Sequence, residues 1–178
     1  MILMDYNLLA TAEQLYMSKA CSGLWMNLRA VGDAEPRVDR SRIKGLILAR
    51  TTLDPIEAIH RLREHMKHEP SRYELLYRVL PIQAWAESSP ENIVNALTPM
   101  RGRIGPGESF RVTLEKRRTQ LSSLDFIEPV AELFDRRVDL EKPDWVVLVE
   151  ILGQDAGVSI IKPGDVLNVQ KERAGSPA

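Results

Sequence analysis

Apolar residues recur along this chain in two rhythms, and each change of rhythm marks an element. Tyr6 to Thr11 is a short, largely apolar run of strand type. From about Ala12 to Val31 the period becomes helical: Met17, Cys21, Leu24, Leu28 and Val31 step by three and four along one face, and Gly32-Asp33 closes the helix. After a basic loop, Gly45 to Thr51 (GLILART) is a compact apolar strand. In LDPIEAIHRLREHMKHEP, Asp54 sits at an N-cap, Pro55 at the first helical position and Glu57 at capping-box spacing, with Ile56, Ile59, Leu62 and Met66 as the buried stripe.

RYELLYRVLPIQAWAE reads as one extended segment that Pro81 confines to an edge or bulged position. A short helix with Pro90 in its first turn turns Ile93, Val94, Leu97 and Met100 inward. Arg101 to Glu108 (RGRIGPGE), with three glycines and a proline, reads as a flexible connector. SFRVTLEKRR then alternates strictly, with Phe110, Val112 and Leu114 on one side and Arg111, Thr113, Glu115 and Arg117 on the other. A helix from Ser123 to Phe134, capped by Ser122 or Ser123, buries Ile127, Val130 and Phe134.

Pro143 forces Lys142 into an extended conformation and places Asp144 at the mouth of the next strand. Trp145 to Ile151 is nearly continuous and β-branched, with Glu150 its only charge, as in a central strand covered on both faces. AGVSIIKPGD supplies a last strand, and KERAGSPA a frayed tail. Alternating strands and helices with a strand-rich end predict an α/β chain of α+β layers, in two small sandwiches that share the segment around Tyr73 to Ala86.

Composition refines this picture at two points. With 44% hydrophobic and 28% charged residues in 178, the chain has the makings of a globular core. No apolar run reaches membrane-spanning length, and Asp5 interrupts an N-terminus that lacks a basic leader, so a cytoplasmic protein is expected. The net charge of −1 conceals two basic blocks. Arg37, Arg40, Arg42, Lys44 and Arg50 stand against Asp39 alone, and Arg101, Arg103, Arg111, Lys116, Arg117 and Arg118 against Glu108 and Glu115, a local charge of +4 in each. Such blocks suit a polyanion surface or a solvated face.

Catalytic constellations do not emerge. His60, His65 and His68 crowd one helix without the spacing or carboxylates of a metal site, and near a helix C-terminus they complement the dipole. Cys21, the single cysteine, falls on an apolar stripe and reads as a core thiol. The GRIGPGES loop lacks the Gly-Lys-Ser/Thr end of a P-loop and leads into a strand rather than a helix. No catalytic residue, metal or cofactor is therefore assigned.

The order SFRVTLEKR, serine-started helix, VDLEKPDWVVLVEILG, AGVSII resembles a THUMP domain, an RNA-binding module of tRNA-modifying proteins. Upstream, YNLLAT, GLILART, DPIEAIHRLRE and RVLPIQA are similar to the ferredoxin-like partner of THUMP in one subgroup, stand-alone adaptors that assist the tRNA cytidine acetyltransferase in forming N4-acetylcytidine. The resemblance implies a ferredoxin-like domain over 1–80, a THUMP domain over 81–170 and a disordered tail over 171–178. With only Gln170 to Ala178 after the last strand, no further catalytic domain is expected, and the chemistry falls to another polypeptide.

On this reading the THUMP surface holds the tRNA acceptor stem and 3′ end, and the RNA cytidine acetyltransferase is the protein partner. Arg103, Arg111, Lys116, Arg117 and Arg118 are the first candidates for phosphate contacts, Arg136 and Arg137 the second, and Arg42 and Lys44 an extension. Trp25 and Trp85 are candidates for the core or for the protein interface. Two alternatives stay open: a small-molecule-binding regulatory module, and the RNA-binding subunit of another tRNA-modifying enzyme.

Overall fold

A computed structural model describes residues 5–174. The chain separates into two compact units, one running to Ile82 and resuming at Gly164, the other spanning Gln83–Pro163. Each has one five-stranded sheet with helices packed on a face, in agreement with the α+β reading.

The first unit follows the order β1 (Leu8–Ala12), α1 (Met17–Ala30), β2 (Arg37–Arg40), β3 (Leu46–Arg50), α2 (Pro55–His68), β4 (Leu76–Pro81). This is the βαββαβ chain order of a ferredoxin-like fold, and its strands lie antiparallel as β4-β1-β3-β2. Alternate residues of the strands, Leu8, Ala10, Ile47, Ala49 and Val79, meet Leu24 and Leu28 of α1 and Ile59, Leu62 and Met66 of α2. Helix α2 begins as predicted: the Asp54 carboxylate accepts the amides of Ile56 and Glu57, each at 3.0 Å. The Glu57 carboxylate is turned instead to Arg61, one helical turn on, at 3.0 Å.

Several boundaries differ from the sequence reading. Helix α1 starts at Met17 rather than Ala12, because Ala12 still pairs with Leu76 as the end of β1 and the Glu13 carboxylate caps a short 3₁₀ turn by accepting the Leu15 amide. The basic loop after α1 contains an edge strand, β2, paired with β3. Arg37 lies over the Tyr6 ring, 4.8 Å from its centroid, and the Tyr6 hydroxyl donates to Asp39 at 2.7 Å.

The expected boundary at residue 170 and the expected tail are also corrected. After Gly164 the chain returns to the first unit, where β10 (Leu167–Asn168) pairs with β4 and is followed by α5 (Val169–Ala174). Leu167 and Val169 are buried in that core, and Arg63 on α2 binds Glu172 and the Val166 carbonyl. Burial of two apolar side chains is the physical reason this segment is ordered. Residues 175–178 of the expected tail lie outside the described residues.

The second unit runs β5 (Ala84–Glu87), α3 (Pro90–Leu97), β6 (Ser109–Arg117), α4 (Ser123–Leu133), β7 (Arg137–Val138), β8 (Trp145–Leu152), β9 (Asp155–Ile161). The extended segment around Pro81 is thus split, with β4 in one sheet and β5 in the other. Strand order is β5-β9-β8-β6-β7, with β8 at the centre as its composition predicts. β6 runs parallel to both β8 and β7, while β8-β9 and β9-β5 are antiparallel. Phe110, Val147, Val149, Ile151, Val158 and Ile160 form the sheet side of a core closed by Ile93, Leu97, Phe126 and Val130. Ser122 caps α4 in a reciprocal box with Asp125.

Candidate nucleic-acid interface

β6 is the axis of the site, and the VDLEKPD turn fixes where it starts. Asp139 accepts the amides of Glu141 and Lys142 at 3.1 and 2.9 Å, folding the chain back toward the sheet. Asp144 then accepts both the amide (2.8 Å) and the hydroxyl (3.2 Å) of Ser109, while the Ser109 oxygen accepts the Asp144 amide at 3.1 Å. This closed ring of bonds sets Phe110 level with Trp145 and so fixes the register of all eight β6-β8 pairs. The donated amides hold both carboxyls below the usual aspartate range, Lys142 and Glu141 acting on Asp139 and Ser109 on Asp144.

The glycine loop before β6 is pinned rather than a flexible connector. Glu108 accepts the Gly105 amide at 2.8 Å and returns its own amide to the Gly105 carbonyl at 3.0 Å, with Ile104 fully buried beside them. A Cβ at position 105 would stand 2.9 Å from the Glu108 carboxylate, which would have to shift to admit it. The Gly105 amide is the main cause that lowers the Glu108 carboxyl.

The candidate cations divide into two groups. At the start of β6, the Arg111 guanidinium donates to the Leu140 carbonyl at 3.0 Å, and Arg136 donates to Ile104 at 3.0 Å. Arg103 donates to the Gln83 side chain at 2.6 Å and the Ile160 carbonyl at 3.2 Å. Arg137 is exposed on β7 opposite Ser109. A guanidinium has five N–H donors, so Arg103, Arg111 and Arg136 are oriented by these bonds and keep donors for an oxyanion. At the far end, Lys116 donates to the Leu121 carbonyl at 3.3 Å, and exposed Arg118 turns out of the strand at φ 57°. Arg118 is the one non-glycine in the left-handed region among the described residues. Six residues of strand, about 20 Å, separate Arg111 from Arg117.

Arg117 falls in neither group. It binds Glu150 at 3.0 Å, and the two side chains are 18% and 1% exposed. Its placement in the exposed basic set is corrected: Arg117 is the counter-ion of the one charge on the central strand. The start group gains a cation that the sequence reading passed over. Lys162, just after β9, stands 3.8 Å over the Trp145 ring and 3.6 Å from Glu108. Its only sequence signal is a lysine ending an apolar strand.

The other candidates belong to the first unit or to β5. Arg42 and Lys44 are exposed on the turn between β2 and β3. Trp25 is 44% exposed, with its indole donating to the Pro36 carbonyl at 3.0 Å, and Trp85 is half-buried on β5. His60 pairs with Asp165 and His65 with the Tyr73 hydroxyl, each at 2.8 Å. Burial first, then Arg72, lowers the His65 imidazole below its ordinary value. Cys21 packs against the first core, and burial raises its thiol. Among the described residues no three His, Cys, Asp or Glu side chains gather as a metal site, and no helix is long and apolar enough to cross a membrane.

Known proteins provide an independent view of this geometry. The family model described as the THUMP domain matches residues 95–161, from the end of α3 to the end of β9. No curated protein matches the sequence. Among solved structures, PH1313 from Pyrococcus horikoshii Ot3 is similar over 88% of this chain and 55% of its own, at 18% identity and a TM-score of 0.64. TrmN from Thermus thermophilus is similar over 86% of this chain and 44% of its own, at 21% identity and a TM-score of 0.56. A 4-thiouridine synthetase solved with RNA and ATP is similar over 88% of this chain and 42% of its own, at 12% identity and a TM-score of 0.51. At these identities the likeness is one of fold, and the chain spans about half the length of the solved proteins it matches. The family match takes in β6, β8 and β9 of the second sheet: the second unit of this chain contains a THUMP domain.

Proposed function

We propose that this chain is a tRNA-binding adaptor that presents tRNA to a separate RNA cytidine acetyltransferase for N4-acetylcytidine formation. The observation that carries the reading is the coincidence of the THUMP segment with oriented cations at both ends of β6. Phosphate neutralisation by Lys and Arg supplies most of the affinity for RNA, and a folded tRNA presents backbone and unpaired ends to a rigid surface. Arg103, Arg111, Arg136, Arg137 and Lys162 form one contact area, and Lys116 and Arg118 the other, for the acceptor stem and 3′ end. The chain contributes positioning in this scheme, and acetyl transfer takes place on the partner.

An electrophoretic shift with total tRNA at two salt concentrations, with and without a candidate acetyltransferase, tests the proposal. Binding that weakens steeply with salt, and a slower-migrating ternary species with the acetyltransferase, are expected. Absence of tRNA retention in dilute buffer would overturn it. Tight tRNA binding without a ternary species would favour a second reading, the RNA-binding part of another tRNA-modifying enzyme. The observation behind that reading is that this chain spans about half the length of TrmN and of the thiouridine synthetase.

A further inference from the structure

The first unit holds a cavity that the RNA reading does not use. It has a volume of about 240 Å³ and opens between α1 and the 3₁₀ turn Pro70–Tyr73 that leads into β4. Ala20, Asn27 and Leu76, each at most 2% exposed, line its inner part, and half-exposed Met26 stands at its mouth. The wall opposite α1 is firmly held. Asn27 Nδ2 donates to the Arg72 carbonyl at 3.1 Å, and the Tyr73 hydroxyl meets His65 Nδ1 at 2.8 Å.

Asn27 is 1% exposed, yet only half of its amide is used. Its bond to a carbonyl fixes which end is the NH₂ group, and Oδ1 accepts no hydrogen bond among the described residues. A buried amide oxygen that lines a cavity is an acceptor waiting for a donor. Gly23 faces the same space from the middle of α1, where glycine is a poor helix former, and a Cβ there would meet nothing within 4 Å. No close contact calls for glycine at this point, and its effect is to keep the cavity open. Exposed Lys19 and Glu74 complete the lining, neither with an ion-pair partner among the described residues, whereas Arg72 is paired with Glu69 at 3.7 Å.

We propose that this cavity binds a small apolar α-amino acid as its zwitterion. Opposite charges that line one cavity without closing on each other suit a ligand that carries both, its carboxylate on Lys19 and its ammonium on Glu74, with an ammonium N–H donated to Asn27 Oδ1. The aliphatic side chain lies against Ala20, Leu75 and Leu76 beside Gly23. The volume equals that of about eight waters and falls below the roughly 300–1,000 Å³ of pockets for drug-sized ligands. A nucleotide fits less well, because its phosphate would meet Glu74.

Isothermal titration and ¹⁵N NMR of the full chain with L-leucine test the proposal. The controls are leucinamide, which lacks the carboxylate, and 4-methylpentanoate, which lacks the ammonium. Leucine is expected to bind with a submillimolar Kd and to shift the Gly23 amide and the Asn27 side-chain amide, and each control to bind at least about tenfold more weakly. Gly23→Leu fills the cavity from an open helix position, so it keeps or raises Tm and abolishes binding. Lys19→Gln weakens leucine about tenfold and leaves leucinamide unchanged, and Glu74→Gln weakens leucine similarly and leaves 4-methylpentanoate unchanged. The proposal is overturned if leucine does not bind at millimolar concentration or if either control binds as tightly. It is equally overturned if folded Gly23→Leu binds as the parent does, or if both charge variants keep the parent's affinity for leucine. None of these readouts depends on tRNA affinity, so this proposal and the adaptor reading can fail separately.

Discussion

Replacing Arg117 with alanine is expected to unfold the second unit before it affects RNA. The guanidinium lies 3.0 Å from a Glu150 carboxylate that is 1% exposed. Its removal breaks the buried ion pair on the central strand, and breaking such a pair costs about 3–5 kcal/mol. For a unit of this size each kcal/mol lowers Tm by about 4–8 °C, so a fall of about 12 °C or more is expected in calorimetry or thermal circular dichroism. The double variant Arg117→Met/Glu150→Leu removes both charges at similar volume and returns stability to within about 2 kcal/mol of the parent. It also keeps the parent's salt dependence of tRNA binding. An Arg117→Ala protein that loses under about 1 kcal/mol, yet lowers the slope of log K against log salt by about one, would refute this reasoning and make Arg117 a phosphate contact.

Arg118→Gly relieves a left-handed side-chain conformation and is expected to stabilise the chain by about 1 kcal/mol in urea titration while weakening tRNA binding. Leu167→Ala empties a fully buried site of the first core and costs about 2–5 kcal/mol by the same titration. For Asp33, burial raises the carboxyl, but bonds from Thr51, Thr52 and the Glu35 amide overcome it and leave the group below its ordinary value. A depressed native value stabilises above the unfolded value near pH 4 and is lost as pH falls through the native one. Asp33→Asn is therefore less stable than the parent at neutral pH, and the difference in denaturation midpoints closes in acid. His65, also depressed, titrates below pH 6.5 by NMR, and the first unit loses stability as pH falls through that midpoint.

Local signals in this sequence proved readable wherever one residue type has one backbone use. The Asp54-Pro55 helix start, the Ser122 cap and the period-two alternation of β6 all follow from short stretches, as does the central position of the valine-rich β8. β2 escaped because Val38 is its only apolar residue, so an edge strand looks like a charged loop. β10 and α5 escaped because two buried side chains, Leu167 and Val169, make too short a pattern to reveal a return to the first unit. Arg117 was misplaced for a non-local reason. Alternation correctly puts it on the Arg111 face, but that face also carries Glu150, which lies directly opposite Glu115 and two residues short of the Arg117 partner Leu152. Two carboxylates side by side leave the neighbouring arginine as a counter-ion. Lys162 joins the site only through the β8-β9 hairpin, which brings it above Trp145.

The central claim is that the cations at the two ends of β6 grip tRNA. Its most direct measurement is the tRNA dissociation constant across a salt series for the parent, for Arg111→Glu/Arg137→Glu, and for Lys116→Glu/Arg118→Glu, with folding verified by circular dichroism. The account predicts that both pairs weaken binding at low salt and flatten the dependence of log K on log salt, each by about one to two in slope. Folded variants with the parent's affinity and slope at both ends of β6 would contradict it.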